Sequence, residues 1–179
     1  RGNDVLFTPV FLSYLLLEQD KATLCVQREA VSAEIEAHLK SDGVTLAPYD
    51  DIYRLVAALP TGTRVLLDGE RANYRILQSV PESAEVLDRT SPIQLMKAMK
   101  TPAEQENERL AHIKDGVAVT RFIYWLKHTI GKEPITELSA SKKLESLRAE
   151  GEHYLEQSFD PILAYGAHGA IVHYEPTEE

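Results

Sequence analysis

The stretch VFLSYLLLEQDKATLCV, residues 10–26, sets the class of fold. Residues 10–17 are apolar at both alternating positions, interrupted only by Ser13. That is the pattern of a strand covered on both sides. A polar break at 18–21 leads to a second short apolar run at 22–26, so the pair predicts a β-hairpin. The period then changes. Val31, Ile35 and Leu39 recur every four residues, which predicts one face of a helix ending near Asp42 and Gly43. Residues 44–46 read as a strand, and Asp50 is placed to cap a helix bearing Ile52, Leu55, Val56 and Leu59. After the break at Pro60 and Gly62, strands at 64–68 and 85–87 flank a short helix at 72–78. Such alternation predicts an α/β layer with a mixed sheet and flanking helices. The turns SDGV and DGER lack the multiple-glycine spacing of a dinucleotide site.

From residue 91 the elements lengthen, which puts the expected domain boundary near residues 90–92. SPIQLMKAMK (91–100) is amphipathic and helix-like. Thr101, Pro102 and Glu104 then form a strong helix start: Thr as N-cap, Pro at the first position, Glu at N3 to close a capping box. The helix is expected to run to Ile130 and stop at Gly131, with Leu110, Ile113, Val117 and Tyr124 on one stripe and Phe122, Trp125 and Leu126 widening it. A second helix is expected at 137–150 on Leu138, Leu144 and Leu147. Residues 159–174 mix β-formers with glycines and predict a strand, a glycine turn and a further strand at 170–174.

Composition narrows the function classes. The 179 residues are 44% hydrophobic and 26% charged, ordinary for a globular protein. Net charge is −9, with 9 basic against 14 acidic side chains in residues 1–90 and 10 against 14 in residues 91–179. Nucleic-acid binding needs a basic footprint, and this even acidity supplies none. Cys25 is the one cysteine, set among apolar neighbours. It predicts a buried small side chain and a reducing compartment. No run approaches the ~20 apolar residues of a membrane span. The chain opens on Arg1 rather than methionine, so an internal piece of a longer protein is expected.

Few side chains offer chemistry. His112 and Asp115 lie three apart on the long helix and share a face, where a metal pair or acid/base pair competes with ordinary surface hydrogen bonding. The segment AHIKD is not the His-Glu-x-x-His of a zinc peptidase helix. Asp50 and Asp51 read as capping residues; Glu104, Glu106 and Glu108 read as a solvated acidic face near the helix N-terminus. Ser139 and Ser141 lack a nucleophile elbow. The run GAHGAIVHY (166–174) is the most distinctive. Its glycines permit close backbone approach, and His168 and His173 would point to opposite faces of an extended chain. An imidazole beside such a turn can bind a carbonyl or carboxylate, or serve structure alone.

Several segments resemble one family in the right order. SFDPILAYGAHGAIVHYEP (158–176) resembles the entry to the catalytic domain of the Xaa-Pro aminopeptidases (aminopeptidase P). ERLAHIKDGVAVTRFIYWL (108–126) is similar to that family's first long helix, and SPIQLMKAMKTPAEQEN (91–107) to the linker before it. RGNDV (1–5) and PVFLSYLLL (9–17) resemble the middle domain of the long, three-domain form. The resemblance implies a creatinase-like α/β middle domain, its C-terminal portion at 1–91, then the incomplete start of a pita-bread α+β metallopeptidase domain at 92–179. It implies removal of the N-terminal residue from peptides with proline second, by a hydroxide activated between two divalent metals, commonly manganese. Their ligands would lie beyond residue 179, so no metal ligand and no catalytic residue is assigned within the chain. His173 falls on the family's substrate-binding histidine. At His168 this sequence departs from the asparagine common in relatives. A cytoplasmic homodimer is implied. The alternatives are a prolidase or creatinase-type hydrolase, or a non-catalytic pita-bread module that binds peptide or histone.

Overall fold

A computed structural model describes residues 2–178; Arg1 and Glu179, the outermost residues of the two expected domains, lie outside the described residues. The hairpin forms as expected. β1 (Ser13–Leu17) pairs antiparallel with β2 (Ala22–Val26), Ser13 opposite Val26 and Leu17 opposite Ala22. α1 (Ala33–Ser41) then crosses over, with Ser32 as N-cap accepting from the Ile35 N–H. It stops at Gly43, whose φ of +79° suits glycine. The chain returns as β3 (Val44–Pro48), parallel to β2. The sheet order β1-β2-β3 is therefore mixed, as the sequence predicts.

α2 (Asp51–Ala57) lays Ile52 and Val56 on this sheet, closing a core around Cys25 with Tyr14, Leu16, Leu59 and Ile76 at its margin. Cys25 is fully buried, as expected. Asp50 occupies the N-cap position but makes no side-chain cap bond, contrary to expectation; its helical ψ of −9° differs from the extended backbone of a capping residue. A second, two-stranded parallel sheet follows: β4 (Arg64–Leu67), α3 (Tyr74–Ser79) and β5 (Glu85–Asp88). Asp68, just past β4, accepts from the Ser91 N–H at 3.0 Å and from Gln94 Nε2 at 2.8 Å. That ties α4 (Pro92–Ala98) to the first unit, which ends at Met99.

β1 is not covered on both sides. It is an edge strand of its sheet, and Leu15 and Leu17 are 50% and 58% exposed. Only the Tyr14 and Leu16 face packs on the core.

The second unit begins at Lys100. α5 (Pro102–Thr129) starts on the expected capping box: Thr101 Oγ1 accepts from the Glu104 N–H, and Glu104 Oε2 accepts from the Thr101 N–H at 2.7 Å. It runs for 28 residues, about 42 Å at ~1.5 Å per residue. α6 (Glu137–Ala149) packs against it through Ala118, Phe122, Ala140 and Leu147, with Trp125, Leu126 and Leu144 alongside. Arg148 to Asp115 at 2.7 Å and Arg121 to Glu150 at 2.6 Å flank the seam.

The stripe Leu110, Ile113, Val117 and Tyr124, which the sequence puts on one face of the helix, is exposed, Ile113 by 64%. α6 instead meets the face where alanines 118 and 140 let the helices approach. Residues 159–174 form no strand. They make bends and a 3-10 turn at Gly166–Ala170; a strand needs a hydrogen-bonding neighbour, and none of the described strands pairs with this segment.

Candidate functional site

The distinctive run at 166–174 is organised by a residue far away in sequence. Thr136 caps α6, accepting from the Ser139 N–H at 3.0 Å, while Ser139 Oγ accepts from the Thr136 N–H at 2.9 Å. Ser139 is thereby spent on capping. The cap fixes the first residue of the helix, Glu137, whose side chain is only 17% exposed. Three donors converge on its carboxylate. The Tyr165 N–H reaches Oε1 at 2.5 Å, and the Tyr174 hydroxyl reaches Oε2 at 2.5 Å. His168 Nδ1 lies 3.0 Å from Oε1 and 2.9 Å from Oε2. The His168 ring also stacks on Tyr174 with centroids 4.6 Å apart.

The electrostatics follow from this geometry. The Tyr174 hydroxyl, with help from His168 and the Tyr165 N–H, holds the Glu137 carboxyl below the usual carboxylate range against the opposing effect of burial. The same bond, with burial, pushes the Tyr174 phenol up. Position adds to the effect, because a negative side chain in the first turn of a helix is favoured by the backbone dipoles.

His173 lies between these held residues. It sits in a turn with φ of +55°, the left-handed region, not in the extended strand that its sequence context predicts. For a residue other than glycine such a conformation costs of order 1 kcal/mol and persists where the surroundings determine it. The imidazole is exposed and has no hydrogen-bond partner among the described residues. It is free to meet another molecule, whereas His168 is committed to Glu137.

The other candidates separate. His112 donates from Nδ1 to the Glu108 carbonyl at 2.8 Å, while Asp115 pairs with Arg148, so these two do not act together. Asp51 pairs with Arg54 at 2.6 Å. Glu106 and Glu108 face solvent beside Arg109 and Lys100. Ser141 is buried on the α6 seam. Among the described residues no three His, Cys, Asp or Glu side chains converge to hold a metal ion. No helix there is long and apolar enough to cross a membrane. Sequence reasoning missed Glu137: following a capping threonine it reads as a helix start, and nothing local points to Tyr165, His168 or Tyr174.

Comparison with known proteins extends this description. Residues 1–104 match the creatinase/prolidase N-terminal domain family, and residues 106–179 match metallopeptidase family M24. A probable Xaa-Pro aminopeptidase P of Sclerotinia sclerotiorum is 34% identical over 98% of the chain, and 31% of that relative is covered. Aminopeptidase P2 of Arabidopsis thaliana is 31% identical over 100% of the chain and 29% of its own length. The crystal structure of an X-prolyl aminopeptidase from Caenorhabditis elegans, a cytosolic enzyme with a di-nuclear active site, matches with a TM-score of 0.86 at 27% identity. That match takes in 98% of this chain and 30% of that one. The chain thus spans about a third of the length of these relatives. Its fold is a creatinase-like mixed-sheet domain followed by the first part of a pita-bread metallopeptidase domain.

Proposed function

Because the chain belongs to the creatinase/prolidase N-terminal domain family, we propose that it is part of a metalloaminopeptidase that releases the N-terminal residue from peptides with proline second. The observation that carries this reading is the likeness of nearly the whole chain to an X-prolyl aminopeptidase. In it, residues 1–91 are the C-terminal portion of the non-catalytic middle domain, and residues 92–179 open the metallopeptidase domain through the α4 linker.

The full protein would use two divalent metal ions, manganese by preference. The described residues do not supply a set of ligands for them. What this chain contributes is His173. Its imidazole is exposed, unpaired among the described residues and mounted on a turn, so a ring N–H can donate to a substrate carbonyl or carboxylate oxygen. Proline as the second residue suits such a site, since its nitrogen carries no N–H and its φ is fixed. The site must orient a tertiary amide without help from that donor. A cytoplasmic location, in keeping with the cytosolic relative, and a homodimer are parts of the same proposal. The family's breadth favours keeping a prolidase as the second reading.

The test is made on the full-length protein with added manganese. It should release arginine from Arg-Pro-Pro, and His173→Ala should lower kcat/KM by on the order of 100-fold, the scale of losing one hydrogen-bond donor to the transition state. Cleavage of Xaa-Pro dipeptides alone would favour the prolidase. An inert wild-type protein would favour a binding module, and an unchanged rate in the variant would remove His173 from the site.

A further inference from the structure

The segment that carries His173 has almost nothing of its own to hold it. It contains no strand, one short 3-10 turn and two glycines, Gly166 at a φ of +60° and Gly169. Leu163 packs on the α5–α6 core, but beyond it the side chains are largely exposed. A free peptide of this composition samples many conformations. Here it adopts one, with His173 in the left-handed region.

We propose that Glu137 is the positioning residue for substrate binding by His173: its carboxylate clamps the segment on both sides of that histidine, through Tyr165 and His168 before it and Tyr174 after it. The inference rests on the role given to His173 above. The geometry supports it in three ways. The donors reach the carboxylate from positions 28, 31 and 37 residues away, so the contacts close a loop and are no part of local helix capping. They use both oxygens, Oε1 taking Tyr165 and Oε2 taking Tyr174, with His168 shared between them. A carboxylate offers about four acceptor sites, so one group can hold all three. Finally, the clamp is anchored on a rigid element. The Thr136–Ser139 capping box fixes the start of α6, and Leu147 and Ala140 bury that helix against α5.

The arrangement also separates the two histidines by role. Nδ1–H of His168 is held by the carboxylate, which sets its tautomer and aligns its ring on Tyr174. Tyr174 is bonded through its hydroxyl, so the backbone directly after His173 cannot swing. Glu137 does not meet the substrate in this scheme. It acts by removing the freedom that His173 would otherwise lose on binding.

Two measurements on the full-length protein test this. The first is amide hydrogen exchange. Glu137→Ala should speed exchange across residues 165–174 by about tenfold or more, leaving peptides from the α5–α6 seam unchanged. The second is a double-mutant cycle on release of arginine from Arg-Pro-Pro. Glu137→Ala should raise KM by about tenfold, and combining it with His173→Ala should cost no more than His173→Ala alone, because both remove one function. Glu137→Gln keeps an oxygen for the Tyr165 N–H and should fall between wild type and Glu137→Ala. Tyr174→Phe, which leaves α6 untouched, should act in the same direction and serves if the Glu137 variants fold poorly. Unchanged exchange at 165–174, or effects of Glu137→Ala and His173→Ala that simply add, would overturn the proposal. If wild type releases no residue, the peptidase reading fails, and the exchange experiment still decides whether Glu137 holds the segment.

Discussion

At the scale of single residues, Glu137 shows how a charge can be placed by tertiary contact. The Tyr174 hydroxyl does most to keep it ionised, followed by His168 and the Tyr165 N–H. A carboxyl whose pKa falls on folding adds stability above its unfolded value of about 4.3, and loses that contribution as pH drops through the lower folded value. Exchange protection across 165–174, corrected for intrinsic rates, should therefore be present above the unfolded value of about 4.3 and be lost as pH falls through the lower folded value. Protection that persists to about pH 2 would show that something other than the carboxylate holds the segment. Glu137 was hidden in the sequence because its partners lie 28 to 37 residues on. Cys25 was legible, since a lone thiol within ATLCV has only apolar neighbours to join. His173 was legible only through the motif around it; its left-handed backbone was not.

Among the elements, those with local punctuation were read closely. The strand expected at 22–26 is β2, and the capping box at Thr101 opens α5 as predicted. Replacing Thr101 by Ala removes the acceptor for the Glu104 N–H and should cost about 1 kcal/mol. In the full-length protein this reads as roughly fivefold faster amide exchange in the first turn of α5, with its centre unchanged. No change there would mean that tertiary contacts, not the cap, hold the turn. The misread elements were those whose state depends on a neighbour. α5 carries apolar residues on two sides, one through Ala118 and Phe122 and one through Ile113 and Val117, and periodicity cannot tell which side α6 will take. The β-formers at 170–174 make no strand without a ladder to join.

For the molecule as a whole, the described residues divide at Met99 and Lys100 into two units, each with its own core. His173, the exposed imidazole assigned to substrate in the proposed function, lies in the second. In the proposed reading the metal ligands lie outside residues 1–179, so this piece expressed alone should release no arginine from Arg-Pro-Pro with added manganese. Measurable turnover by that piece would show that the active site has been misplaced. By itself the sequence determined the α/β class, the hairpin and the two long helices, because hydrophobic period, caps and glycines act within a few residues of where they stand. It also carried the family, in motifs that follow one another in order. Tertiary structure alone decided which face of α5 is covered, that β1 is an edge strand, and that one carboxylate at the start of α6 gathers Tyr165, His168 and Tyr174 around His173. Those outcomes depend on groups brought together from distant parts of the chain, and no local pattern encodes which of them will meet.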